Sequence, residues 1–158
     1  MEPIYPMLWF DGQAEDAANF YVSVFPDSRV DDISRYGAAG PGSEGSAMVV
    51  DFTLSGRRFT ALNGGPEFKF NESVSFVVPC VSQEEVDRYW DALMAGGEPS
   101  ACGWLKDRFG LSWQVVPTEL DRMMADPDPE KARRVTEAML KVWGKLELEP
   151  LRAAFEGR

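Results

Sequence analysis

Few side chains in this chain have the type and placement to do chemistry. Gln114 stands in the apolar run LSWQVVP, where an amide is costly to bury unless something satisfies it. It either orients a ligand or closes a structural hydrogen bond to backbone or to a neighbour such as Ser112. Asp107 lies at the turn of WLKDRFGLSWQVVP, and Asp11 at a strand-to-helix corner. An aspartate suits turn or cap chemistry in either place, and becomes a general base only if it faces a cavity. Cys80 and Cys102 are the two thiols, with no CxxC spacing, so dithiol redox and zinc-knuckle motifs are absent. Each reads as a small buried hydrophobe, and a bridge between them stays open. There is no histidine. That removes the commonest general base, every Ser–His or Cys–His pair and the commonest zinc ligand.

The aromatic residues are the other candidates. Trp9, Trp104 and Trp113 fall in strand-like segments, where they form either aromatic walls for a planar ligand or ordinary core. Asn63, in LNGGP, either points into a cavity or tolerates a left-handed turn. Phe68 alternates with Phe70 in EFKFNE, a connecting segment that lines a cavity mouth, packs across a dimer or merely links two halves.

Composition limits the partners. The chain has 158 residues, enough for one well-cored domain, and a net charge of −10. Nucleic acid is a poor partner, because neutralising phosphates needs clustered Lys and Arg. The acidic surface serves solubility or attracts a cationic ligand. No apolar run approaches the roughly 20 residues that span a bilayer. MEPIYPMLWF lacks a basic start and a small-residue cleavage site, so a cytoplasmic location is expected.

The elements that must position these residues repeat. MLWF is a strand, and the apolar stripe Ala14, Ala17, Ala18, Tyr21, Val24 and Phe25 marks a helix stopped by Pro26. A strand around RVDDISRYG follows, then the Gly- and Ser-rich segment 37–47, a lid or a surface linkage. MVVDFTLSGRRFTALN is a hairpin turning at Ser55-Gly56. The order then restarts. SVSFVVPC is a strand, and SQEEVDRYWDALMAGG is a helix with a Ser82/Glu85 capping box and a Val86, Tyr89, Trp90, Leu93 stripe. Gly96-Gly97 ends that helix, and SACGWLKDRFGLSWQVVP supplies the closing strands. AEDAANFY (14–21) superposes on QEEVDRYW (83–90), and the same shift lays Asp11 on Cys80. In the tail, Asp128 caps a helix with Pro129 at its first position and Val135, Met139 and Val142 on one face. Gly144 ends it and Glu149-Pro150 opens a last short helix. The tail reads as packing helices.

These segments identify a family. A duplicated strand–helix–strands module of this size resembles the vicinal-oxygen-chelate superfamily, which includes glyoxalase I, extradiol dioxygenases and the bleomycin and fosfomycin resistance proteins. LWFDGQAEDAANFYVSVFPDS, FTALNGGPEFKFNESVSFVVPC, EEVDRYWDAL and GWLKDRFGLSWQVVP are similar to its PhnB-like branch, whose members often carry the name 3-demethylubiquinone-9 3-methyltransferase. The resemblance is closest over residues 1 to about 125, and the tail is typical of the branch as well. It implies an α+β fold of two βαβββ modules, 1–65 and 66–125, with curved, largely antiparallel sheets around a cavity and a helical tail, 126–158. It also implies a homodimer.

In the metal enzymes of that superfamily, four ligands come from the first and last strands of the two modules. The matching places here are Ile4, Leu62 or Asn63, Ser73 and Gln114. This set contains no imidazole, thiolate or carboxylate, so no metal and no cofactor is expected. Methyl transfer through the usual donor needs a Gly-rich strand-to-helix turn, and LNGGP opens no helix. The leading expectation is a metal-independent binding protein for an unknown small molecule, touching it through Gln114, Asn63, Trp9, Trp104, Trp113 and Phe68. The alternatives are an enzyme on a small molecule between the modules, such as a glyoxalase-like lyase or the methyltransferase of the family name, and a dimeric scaffold without ligand.

Overall fold

The computed structural model describes all of Met1–Arg158. Two compact units, Met1–Phe70 and Asn71–Arg158, divide the chain. In the first, β1 (Met7–Phe10), α1 (Ala14–Val24), β2 (Arg29–Arg35), β3 (Ala47–Leu54) and β4 (Arg57–Asn63) form a four-stranded sheet in the order β1-β4-β3-β2. β1 pairs parallel with β4, and the other pairs are antiparallel. A parallel pair needs a crossover rather than a hairpin, and α1 opens that crossover.

α1 buries Ala14, Ala17, Ala18 and Tyr21 completely. Three alanines on one face let the helix lie close to β3 and β4, and Tyr21 then stacks on Phe52, which stacks in turn on Phe59. The helix carries no cap of its own. Gln13 precedes it without a side-chain cap bond, and Asp11 does not reach it. The cap comes from β4: Asn63 Oδ1 accepts from the Ala14 amide at 2.9 Å, and Asn63 Nδ2 donates to the Ala47 carbonyl at 2.9 Å. Asn63 is therefore not the left-handed turn residue its neighbours suggest. It ends a strand and ties helix, β4 and β3 together. The segment 37–47 closes on itself, with Tyr36 N donating to Ser46 O and Gly45 N to Tyr36 O, both at 2.9 Å. Tyr36 Oη donates to the Asn63 carbonyl at 2.7 Å, so the loop base shares the same anchor.

The second unit repeats the plan. β5 (Ser75–Cys80), α2 (Gln83–Met94), β6 (Glu98–Pro99), β7 (Trp104–Lys106) and β8 (Ser112–Pro117) form a sheet in the order β5-β8-β7-β6. β5 and β8 pair in parallel. Ser82 caps α2 by accepting from Glu85 N at 3.3 Å, and Glu85 Oε2 reaches back to Val81 N at 2.9 Å. Val86, Tyr89, Trp90 and Leu93 are the buried stripe of that helix, as the sequence pattern predicts. Neither sheet closes on itself, and the architecture is the α+β one that the resemblance implies.

The tail departs from its sequence reading in two places. TELDRMM forms a helix that was not expected, α3 (Thr118–Met124), started directly by Pro117 at the end of β8. Asp128 does cap the next helix, accepting from Glu130 N and Lys131 N, but α4 (Pro129–Leu140) stops before Val142 and Gly144. Those residues instead run as a strap along the turn before β7. Cys102 N donates to Val142 O at 2.9 Å, Gly103 N to Gly144 O at 3.0 Å and Gly144 N to Ser100 O at 2.8 Å. Gly103 is required here: it holds φ +81°, and a Cβ would meet the Val115 carbonyl at 2.8 Å and Leu146 at 2.9 Å. α5 (Leu148–Glu156) follows. α3, α4 and α5 share a core of Leu120, Met123, Val135, Leu146 and Leu151. No helix is long and apolar enough to cross a membrane.

Replacing Asn63 by Ala removes the cap of α1 and leaves two backbone groups unmet. Urea unfolding should show a loss of about 1–3 kcal/mol. A loss below about 0.5 kcal/mol would show that the side chain is not the anchor.

Candidate functional site

The hairpin of β7 and β8 is set by one buried carboxylate. Asp107 is 3% exposed. Its Oδ1 accepts from Phe109 N at 2.8 Å and Leu111 N at 3.1 Å, and its Oδ2 accepts from Trp113 Nε1 at 2.8 Å. Gly110, at φ +85°, completes the turn. Both oxygens are thus committed to N–H donors of the hairpin itself, which makes Asp107 a structural residue rather than a base. Fixing the turn fixes the register: Trp104 faces Gln114, Leu105 faces Trp113 and Lys106 faces Ser112.

Strand alternation then sorts the candidates. Leu111, Trp113 and Val115 are buried on one face with Leu105. Gln114 and Trp104 occupy the other, beside Val77 of β5. Gln114 Nε2 donates to Ser75 Oγ at 2.9 Å, so the partner of the amide is Ser75, not Ser112. Ser112 lies on the same face, wholly buried, and its Oγ has no hydrogen-bond partner.

A cavity of about 410 Å³ opens over this face within the second unit. Its sheet side is Val77, Trp104, Gln114 and Val116, with Cys102 at the turn. Its other side comes from the tail: Leu120, Asp121 and Met124 of α3, Met139 of α4 and Leu146 of the strap. The tail is more than packing, since it supplies half the wall. The sequence signal for α3 was present as Leu120, Met123 and Met124 at helical spacing after Pro117. Among the lining or supporting residues, sequence reasoning did not single out Ser75, Val77, Asp121 or Met124, and it read Met139 only as a packing face.

The six candidate contacts separate. Gln114 and Trp104 come together at this cavity. Trp113 is in the core on the opposite face, 3% exposed. Trp9, Asn63 and Phe68 belong to the first unit. There Trp9 Nε1 donates to Gly65 O at 2.9 Å, and its ring meets the exposed Phe68 edge-on at 4.9 Å between centroids. The amide of Asn63 is engaged with backbone, as described above.

The two thiols are free and chemically different. Burial pushes the Cys80 thiol up to about 11, so it stays protonated and inert at neutral pH. Cys102 sits at φ +58°, and its Sγ–H points to the Met139 carbonyl at 3.4 Å. It contributes a soft wall to the cavity and holds α4 close.

The donor set does not fit a metal. Ile4 precedes β1 and is exposed. Ser73 precedes β5 and donates to Asn71 Oδ1 at 2.5 Å. Gln114 has a serine hydroxyl for its neighbour. No group of three His, Cys, Asp or Glu lies close enough to hold a metal ion. A neutral amide and a hydroxyl supply too little charge to compete with water for a divalent cation.

Comparison with known proteins agrees with the architecture. The model of the 3-demethylubiquinone-9 3-methyltransferase family matches residues 2–116. The solved structure of a PhnB protein from Bacillus cereus is 35% identical, covering 74% of this chain and 100% of its own, with a TM-score of 0.69. Protein PA1353 from Pseudomonas aeruginosa is 20% identical over 74% of this chain and 98% of its own, with a TM-score of 0.61. The fosfomycin resistance protein FosX of Listeria monocytogenes shows a weaker likeness, 15% identical with a TM-score of 0.47, over 71% of this chain and 88% of its own. No match is found among curated proteins. The family match ends at Val116, and α3, α4 and α5 lie beyond it.

Two substitutions test the hairpin. Asp107→Ala strands three N–H donors, one of them the Trp113 indole, and should cost about 2–4 kcal/mol in chemical denaturation. Ser112→Ala removes an unmet hydroxyl and should be neutral or stabilising by up to about 1 kcal/mol. A clear loss with Ser112→Ala would mean that its hydroxyl has a partner.

Proposed function

The chain belongs to the 3-demethylubiquinone-9 3-methyltransferase family, the PhnB-like branch of the vicinal-oxygen-chelate superfamily, and from that premise we propose that it binds a small organic molecule, without a metal, in the cavity of its second unit. The observation that carries this reading is the pairing of Gln114 with Ser75 at the edge of a 410 Å³ cavity. A few polar groups among apolar ones is the usual make-up of a small-molecule site, and the volume is in the usual range. Trp104 offers an aromatic surface, and Met124 and Met139 are unbranched and polarisable, so they adapt to a ligand's outline. Gln114 keeps its carbonyl oxygen for a donor on the ligand while its amide nitrogen is held by Ser75.

The family name suggests methyl transfer, and nothing at this site supports it. Gly64-Gly65 follows β4, Gly64 N donates to the Phe10 carbonyl, and the chain continues without a helix. The helix N-terminus that a nucleotide-type donor would use is missing there. The side chains at the cavity include one carboxylate, Asp121, which is exposed, and no committed base. Binding without turnover is the simpler reading.

The neutral aromatic 1-naphthylmethanol tests it. Titration into isotopically labelled protein should shift the amide signals of Val77, Trp104, Gln114 and Met124, and dialysis against a chelator should leave the affinity unchanged. Val77 is half exposed at the cavity, so Val77→Trp fills it without disturbing the core. This variant should weaken binding at least tenfold while keeping the melting temperature. Shifts that cluster elsewhere, or an affinity lost with the chelator, would overturn the proposal.

A further inference from the structure

We propose that the cavity selects small organic cations, an apolar body with one positive charge, and that Asp121 of the tail sets this preference; the inference rests on the reading of the cavity as a ligand site. The lining contains no Lys or Arg, and Asp121 is its one acidic side chain. Asp121 lines the cavity and is exposed to solvent. Other carboxylates of this unit are already used. Glu119 is held in two bonds by Arg152, at 2.7 and 2.5 Å, and the guanidinium keeps its carboxyl below the usual range. Asp87 takes the Lys145 ammonium at 2.7 Å and the Gln83 amide at 3.0 Å. Asp107 is closed inside its turn.

The rest of the lining favours the same chemistry. Asp121 and the Trp104 ring both line the cavity, and indole is the best aromatic surface for a cation. Sulfur from Cys102, Met124 and Met139 suits an uncharged body of varied shape. A net charge of −10 raises the local concentration of cations and lowers that of anions. Asp121, Met124 and Met139 all lie beyond residue 116, where the family match ends.

Three probes with one naphthalene body separate the terms: 1-naphthylmethylamine, cationic at neutral pH, 1-naphthylmethanol and 1-naphthoate. At low salt the amine should bind about fivefold tighter than the alcohol, and the carboxylate weaker than both. Asp121→Asn should bring the amine down to the alcohol and leave the alcohol unchanged. Raising the salt to about 0.5 M should narrow the gap in the wild-type chain. Equal binding of amine and alcohol, or a preference that survives Asp121→Asn, overturns this inference and leaves the cavity reading standing. Failure of all three to bind overturns the cavity reading and this inference with it.

Discussion

β8 is paired on both sides, parallel to β5 and antiparallel to β7, and each of its faces has a fixed use. Trp113 and Val115 are needed in the core on one face, and Gln114 and Val116 belong to the cavity on the other. Because side chains alternate with period two, a slip of one residue in either ladder would send the indole to the cavity and the amide into the core. Asp107 prevents the slip. Its three bonds set the turn, and the turn sets which residues of β7 and β8 oppose each other. The site therefore depends on a carboxylate that never touches it.

The second dependence is the attachment of the tail. α3, α4 and α5 carry a core of their own, so they need only be held in place. The strap at Val142–Gly144 does this through backbone bonds to the turn at Ser100–Gly103. The Gln83 amide adds two more, donating to Leu146 O at 3.2 Å and accepting from Leu148 N at 2.8 Å. Lys145 and Asp87 form an ion pair beside it, which holds the Lys145 ammonium above and the Asp87 carboxyl below their ordinary ranges. The pair is solvated and contributes little by itself; the neutral amide and the backbone bonds fix the geometry. One wall of the cavity is thus family architecture, and the other is a helical addition clamped onto it.

The chemistry follows from what these walls offer. On the cavity face this chain places an amide, a hydroxyl and aliphatic side chains. A neutral, partly apolar surface binds by shape and by burial of apolar area rather than by coordination. Asp121 is the exception, the one acidic side chain of the lining.

The repeat, the hairpins, the α2 stripe with its serine cap and the aspartate cap of α4 were legible in the sequence, because each rests on contacts between near neighbours. So was the division of β8 into two faces, and with it the position of Gln114. The helix α3 was legible in principle but hidden behind a proline that reads as a strand end. Three features were out of reach. Asn63 caps a helix far away in the chain; Ser75 rather than Ser112 meets Gln114; Asp121 and two methionines close the cavity. All three join segments distant in sequence, and periodicity carries no information about such pairs. The sequence by its periodicity set the order of the elements, the apolar stripes of α1 and α2 and the two faces of β8. Which polar groups satisfy one another, and which are left facing a cavity, came from the packing of whole elements, because that packing selects hydrogen-bond partners.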